Sequence, residues 1–148
     1  MLAVIQRVSQ AQVSVDSQPI SQINKGLVVL LGVIQGDTDK DLDYLVKKIS
    51  QLRVMSDDQA KMNLSLQDVN GQILVVSQFT LAADVSKGNR PSFIKAAKPQ
   101  LAKKYYQAFI NQLQAKGLKV AAGKFGAYME IDLTNDGPVT IIIDSRAK

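Results

Sequence analysis

Ser77-Gln78-Phe79-Thr80 puts two hydroxyls three residues apart at the end of the apolar run Ile73 to Val76, a place where α/β folds often carry functional groups. An activated Ser or Thr needs a base within hydrogen-bond reach. The plainer reading is a polar strand end capped by its own hydroxyls. A third use asks nothing of the side chains, because consecutive backbone N–H groups at a strand end can form an oxyanion hole. Gly137-Pro138 is the second feature. X-Pro bonds are cis in only about 5–6% of folded cases, so the sequence by itself predicts a trans turn. A cis bond there would present two carbonyls as a rigid pair beside a backbone that glycine leaves approachable.

The remaining polar groups offer less. Glu130 is the only Glu and alternates with Asp132 on a predicted strand, which puts both on one face, where basic neighbours or solvent satisfy them more often than catalysis does. Asp57-Asp58 falls in a predicted turn and makes a poor metal site. Lys87-Gly88-Asn89-Arg90-Pro91 matches no phosphate-loop spacing, but its two cations beside a glycine suit a flexible contact to phosphate or to an RNA end.

Composition narrows the chemistry further. The 148 residues include no Cys, His or Trp, which removes disulfides, Cys/His metal or haem sites, a thiolate nucleophile and any triad with a histidine base. Proton handling must come from carboxylates, Lys, Tyr, the backbone, water or the substrate. Neither a metal nor a cofactor is expected. The length is that of one ordinary domain, residues 1–148. No run approaches the ~18 apolar residues of a membrane span, and polar residues interrupt residues 1–15 where a signal peptide needs an apolar core. The expectation is a soluble cytoplasmic protein with no membrane partner.

The net charge of +5 is unevenly spread. From Val85 to Met129 there is no acidic residue and nine Lys or Arg, including Lys87, Arg90, Lys98 and Lys124. Such a stretch is the footprint of a polyanion partner, with RNA expected and DNA not. The alternative is a solvated basic helix face.

Periodicity supplies the elements that must hold these groups. Leu2 to Val8 and Ala11 to Val15, interrupted at Ser9-Gln10, read as strand, and Gln18-Pro19 as a turn before a short strand near Ile20. Gly26 to Val33 is a run buried on both faces. Asp37 and Thr38 are N-cap candidates for a helix whose apolar stripe is Leu42, Leu45, Val46, Ile49 and Leu52. Val69 to Gln72 turns into a strand over Ile73 to Phe79. A second helix starts at Pro99 and stops at Gly117, burying Leu101, Tyr105, Phe109 and Leu113. Strands near Val120, from Ala127 to Leu133 and from Val139 to Ile143 complete the chain, the last two separated by an Asn135-Asp136-Gly137-Pro138 turn. The fold class is α/β, one compact domain.

Together these segments closely resemble the D-aminoacyl-tRNA deacylase family. The resemblance covers essentially the whole chain: Met1 to Val8 (MLAVIQRV), Gly26 to Val33 (GLVVLLGV), Lys61-Met62-Asn63, Ser77 to Leu81 (SQFTL), Lys87 to Phe93 (KGNRPSF), Phe125-Gly126-Ala127 and Asn135 to Thr140 (NDGPVT). It implies mixed and antiparallel curved sheets, barrel-like, with two main helices packed on one side. It also implies a homodimeric carboxylic ester hydrolase of translation quality control, cleaving the ester between a D-amino acid, or glycine, and the terminal adenosine of tRNA. In that reading Ser77, Gln78, Phe79 and Thr80 are the catalytic strand end, with the Phe79 and Thr80 amides facing the ester carbonyl. Gly137-Pro138 would be cis and would enter the partner subunit's pocket to reject L-amino acids sterically. Arg7 would hold the Gly-Pro carbonyls, Met129 would lie near the terminal adenosine, and Lys87 and Arg90 would contact RNA. The adjacent ribose 2′-hydroxyl or a positioned water would attack or assist, with assistance by the 2′-hydroxyl expected and Thr80 as a covalent nucleophile the older alternative. Two other classes compete: a non-catalytic RNA-binding module using the basic 85–129 segment, and a metal-dependent phosphoesterase using Asp57, Asp58 or Asp68.

Overall fold

The computed structural model describes residues 1–147. The chain runs β1 (Leu2–Val15), β2 (Gln18–Ile23), β3 (Gly26–Gly32), α1 (Asp39–Ser50), β4 (Met55–Ser56), β5 (Met62–Leu64), β6 (Gln72–Ser77), α2 (Pro99–Ala115), β7 (Lys119–Ala122) and β8 (Glu130–Asp144). A strand apolar on both faces belongs in mid-sheet, and β3 sits between antiparallel β1 and parallel β6. The sheet order is β2-β1-β3-β6-β7, with β8 on β1 and β6 parallel to β7. β2 approaches β6 and β7, so the sheet curls towards closure, while α1 and α2 contact each other and share the core against one side. This is the expected barrel-like, mixed α/β architecture.

Alternation distributes the two apolar layers. Leu27, Val29 and Leu31 of β3 and Ile73 and Val75 of β6 face the helices; Val28, Leu74 and Val76 face the inside of the curl. β1 changes sides along its length. Ala3 and Ile5 pack with the helices, whereas Val8, Ala11 and Val13 belong to the inner layer. Val8 and Ala11 are three apart, which an unbroken pleat would put on opposite faces, and the register against β8 shifts between Val8 and Gln10. The polar pair Ser9-Gln10 marks that shift in the sequence.

Both helices form where their stripes require. Thr38 caps α1, its N–H donating to Asp41 Oδ2 at 2.9 Å. Asp37 does other work: it is buried, and accepts from the Met1 ammonium, Arg146 Nη2 and the Ile34 N–H at 2.8, 2.8 and 2.6 Å. α2 begins on Pro99, and Gly117 N–H and Leu118 N–H close its end on Gln114 O and Leu113 O. Its buried stripe is Tyr105, Tyr106, Phe109, Ile110 and Leu113. Leu101 was expected in that stripe but is 38% exposed; Ala102 is the first-turn residue packed on the core. Phe109 is wholly buried, and its truncation to Ala is worth about 3–5 kcal/mol at such a site.

Three expectations near the candidate groups change. Phe79 leaves the β6 strand and opens a single 3-10 turn, Phe79–Ala82. The strand expected from Ala127 begins at Glu130. The two last strands are one: β8 continues through Asn135 to Thr140, and the Gly137-Pro138 bond within it is cis. The turn chemistry read there is real but local, since β1 pairing resumes on both sides, at Val8 with Asn135 and Gln6 with Thr140.

Candidate active site

The carboxyl ends of parallel β3 and β6 open into a cavity of about 590 Å³. Ligands of open α/β sheets bind at this end because neighbouring strands stop there and leave backbone groups unpaired. Gln78 N–H still donates to Leu31 O at 2.8 Å, extending the ladder one residue past β6. The chain then turns, and the Phe79 and Thr80 N–H groups open the 3-10 turn, where first-turn amides have no partner within the turn. Ser77, Gln78, Phe79 and Thr80 all line the cavity, as does Met129. The four groups expected to act together are therefore adjacent.

The walls explain how the floor is held. Tyr106 reaches from α2 and donates its hydroxyl to Val75 O at 2.9 Å and Gly123 O at 3.1 Å, bracing the gap where β6 and β7 part. Burial pushes this phenol up to about 12. It is a neutral brace at physiological pH and no general base. Phe125 packs on its ring at 5.7 Å between centroids. Met129 folds over the strand end so closely that a Cβ on Gly123 would lie 2.8 Å from its Sδ. At the rim, the half-exposed Phe79 meets Phe93 edge-on at 5.1 Å.

Ionisable groups are nearly missing from this lining. Among the described residues, Tyr106 and Tyr128 are the ones that line it. The Thr80 hydroxyl donates to Gln78 Oε1 at 2.8 Å, and an amide oxygen cannot take its proton usefully. What the cavity offers a substrate is apolar surface and main-chain donors.

Gly137, Pro138 and Arg7 lie outside this cavity. Residues 136–139 stand opposite the single residue Arg7 of β1, a four-to-one bulge. Arg7, 8% exposed, donates from Nε to Asp136 O at 2.9 Å and from Nη1 to Val54 O at 2.7 Å. Its contact is thus with the carbonyl preceding Gly137. Val139 N–H donates to Asn135 Oδ1 at 2.8 Å, and Asn135 Nδ2 and Thr140 Oγ1 both donate to Gln6 Oε1. Asn135 and Thr140 bound the NDGPVT motif but, like Gln6, were given no role of their own from the sequence; Gln6 faces the motif only because a strand 129 residues away in sequence pairs with it.

Lys87 and Arg90 are exposed in the 84–92 loop, which is closed by Asp84 pairing with Ser92. Lys95 also ties that loop, its Nζ 2.8 Å from Asp84 Oδ2, and this hydrogen bond holds the Asp84 carboxyl well below the usual carboxylate range. Asp57 accepts the N–H groups of Gln59 and Lys61 and the amide of Asn63, so its oxygens are committed to a turn. Among the described residues no three His, Cys, Asp or Glu side chains gather as a metal site, and no helix is long and apolar enough to cross a membrane.

The sheet topology, the cavity at the carboxyl ends of β3 and β6, and a cis Gly-Pro bulge elsewhere on the same sheet are three features to set against known families. The profile of the D-Tyr-tRNA(Tyr) deacylase family matches residues 4–144, and the chain belongs to that family. A D-aminoacyl-tRNA deacylase of Desulfatibacillum aliphaticivorans is 54% identical over 146 residues, 99% of this chain and 100% of that protein. One from Clostridioides difficile (strain 630) is 54% identical, covering 98% of this chain and 97% of the relative. Among solved structures, a c-Myc DNA Unwinding Element Binding Protein superposes with TM-score 0.93 at 45% identity, over 99% of this chain and 100% of its own. A probable eukaryotic D-amino acid tRNA deacylase shares the fold at TM-score 0.80 and 17% identity, over 96% and 97%.

Proposed function

We propose that this chain hydrolyses the ester joining a D-amino acid, or glycine, to the terminal adenosine of tRNA. The observation that carries this reading is the cavity itself, with unpaired main-chain N–H groups at Phe79 and Thr80 and, among the described residues, no carboxylate or lysine in its lining. An ester carbonyl seated against those two amides gains a preorganised oxyanion hole, typically worth several kcal/mol of transition-state stabilisation. The nucleophile is water, assisted by the neighbouring ribose 2′-hydroxyl. The tetrahedral intermediate expels the ester oxygen of the terminal ribose, which takes up the proton that the water gives up, leaving free amino acid and the tRNA 3′ end. Met129 covers the adenosine.

Chirality is decided by exclusion. Gly137-Pro138 lies away from the cavity of its own chain, and the outer edge of β8 has no strand on it among the described residues. Both features support a homodimer in which each Gly-Pro pair enters the other subunit's cavity and blocks an L side chain, with Arg7 fixing the bulge. The single domain spans residues 1–148, and the reaction takes place in the cytoplasm. Lys87 and Arg90 contact phosphates. The name of the structural relative and the basic 85–129 segment favour one other reading, a nucleic-acid-binding module without catalysis. Incubation with matched D- and L-aminoacylated tRNA separates them: release from the D form alone is expected, and equal release from both, or none, refutes the deacylase.

A further inference from the structure

Tyr128 stands at the mouth of the cavity with 89% of its surface exposed. The chain beneath it is pinned. Phe125 packs on Tyr106, the Ala127 N–H donates to Lys124 O at 3.1 Å, and Met129 is folded onto Gly123. From Lys124 to Glu130 exposed and half-buried residues alternate, so the inward places go to Phe125, Ala127 and Met129, and the outward ones to Lys124, Gly126, Tyr128 and Glu130. A large aromatic held out in water from a fixed backbone is a stacking surface without its partner. Its surroundings favour an anionic partner on balance: Lys124 shares the segment, Lys98 precedes the cavity residue Pro99, and Val85 to Met129 holds nine Lys or Arg and no carboxylate, Glu130 being the nearest acidic residue in sequence. Aromatic faces flanked by cations recognise unpaired nucleic-acid bases.

We infer that Tyr128 is a substrate-positioning residue that stacks on the unpaired nucleobase preceding the terminal adenosine of tRNA; this rests on the deacylase reading above. A cavity of about 590 Å³ that also admits the Gly-Pro pair of a second copy has room for the aminoacyl-adenosine and no more, so the next base lies outside, where the ring is. Stacking on a fixed ring holds the 3′ end in line with the cavity, which affects binding rather than the chemical step.

The test compares wild type, Tyr128→Phe and Tyr128→Ala on D-aminoacyl-tRNA and on D-aminoacyl-adenosine. Removing the ring is expected to raise KM for the tRNA about tenfold, with kcat retained and with Phe close to wild type. The change on D-aminoacyl-adenosine, which lacks the stacked base, is expected to be much smaller. In a second readout, 2-aminopurine in place of the penultimate base should be quenched on binding wild type and Tyr128→Phe but not Tyr128→Ala. An unchanged KM with quenching intact in Tyr128→Ala overturns the inference. So does equal loss on both substrates, or a shift of Tyr128→Ala to a smaller sedimenting species, which assigns the ring to a second copy. If wild type releases no D-amino acid from tRNA, the deacylase reading falls and the fluorescence signal alone decides the role of Tyr128.

Discussion

Arg7 and Asp136 are joined twice, the Nε donating to the Asp136 carbonyl at 2.9 Å and lying 3.4 Å from its Oδ2. The same guanidinium also holds Val54 O, so one buried cation ties the β8 bulge to the segment after α1. Truncation strands two carbonyls without donors. Arg7→Ala is expected to lose about 3 kcal/mol in urea denaturation and to narrow the D over L preference in deacylation. Full retention of chiral preference in a folded Arg7→Ala would detach Arg7 from selection.

Gly137 and Gly88 share a φ of +137°, yet their surroundings differ. A Cβ at Gly137 would lie 2.9 Å from Val139 N and 3.0 Å from Arg7 Nη2, while at Gly88 it meets nothing within 4 Å. Gly88→Ala therefore reports backbone strain alone, about 1 kcal/mol or somewhat more. Gly137→Ala is expected to cost clearly more and to impair activity against D-aminoacyl-tRNA. Equal thermal shifts for the two variants would mean that the bulge yields freely.

Thr80 is expected to act through its amide. Thr80→Ala keeps that N–H and should retain most turnover, whereas removing a covalent nucleophile costs on the order of a millionfold. Single-turnover release from D-aminoacyl-tRNA measures the difference. Near-complete loss with fold and binding intact would restore the acyl-enzyme route.

Asp41 gives a pH signature for the seam between α1 and the end of β8. Burial acts to raise its pKa, but hydrogen bonds from Ser145 and from the Thr38 N–H and hydroxyl draw it from 3.8 down to about 2. Because the folded value is the lower one, its stabilisation is complete above about pH 4 and disappears as pH falls through about 2. The carboxylate is well solvated, so under about 1 kcal/mol is expected. Acid titration of Asp41→Asn against wild type should show two stability curves that differ at neutral pH and converge near pH 2. Parallel curves throughout would exclude that origin.

Lys87 and Arg90 together should account for about two phosphate contacts. Neutralising both is expected to weaken tRNA binding and reduce the slope of log affinity against log salt by roughly 2. An unchanged slope would leave those charges to solvent.

Where a signal was local, it was readable. The α1 stripe, the Pro99 start and Gly117 stop of α2, the two-faced β3 run and the Ser77 to Thr80 strand end all follow from neighbours within a few residues. The errors came where distant partners decide. Asn135 to Pro138 has the composition of a turn, but pairing with β1 on both sides makes it a bulge inside one strand. Asp37 looks like a cap until the Met1 ammonium and Arg146 arrive from the two ends of the chain. Leu101 obeys the helix period, but only the sheet's extent determines which first-turn residue is covered. Family resemblance recovered what periodicity missed at Gly137-Pro138, while Gln6 and Tyr106 needed coordinates.

The pairing of β1 with β8, from Leu2 opposite Asp144 to Ser14 opposite Glu130, also sets a timetable. The first strand of this fold has its longest partner in the last one, made well over a hundred residues later. Until β8 emerges, Val8, Ala11 and Val13 have an incomplete layer, and one edge of β1 is bare while every strand and helix between them is being made. Folding that must wait for such distant contacts is slow, and the waiting strand is exposed to wrong partners. Ser9 and Gln10, the polar interruption on that strand, give the nascent β1 a break in its apolar pattern during the wait.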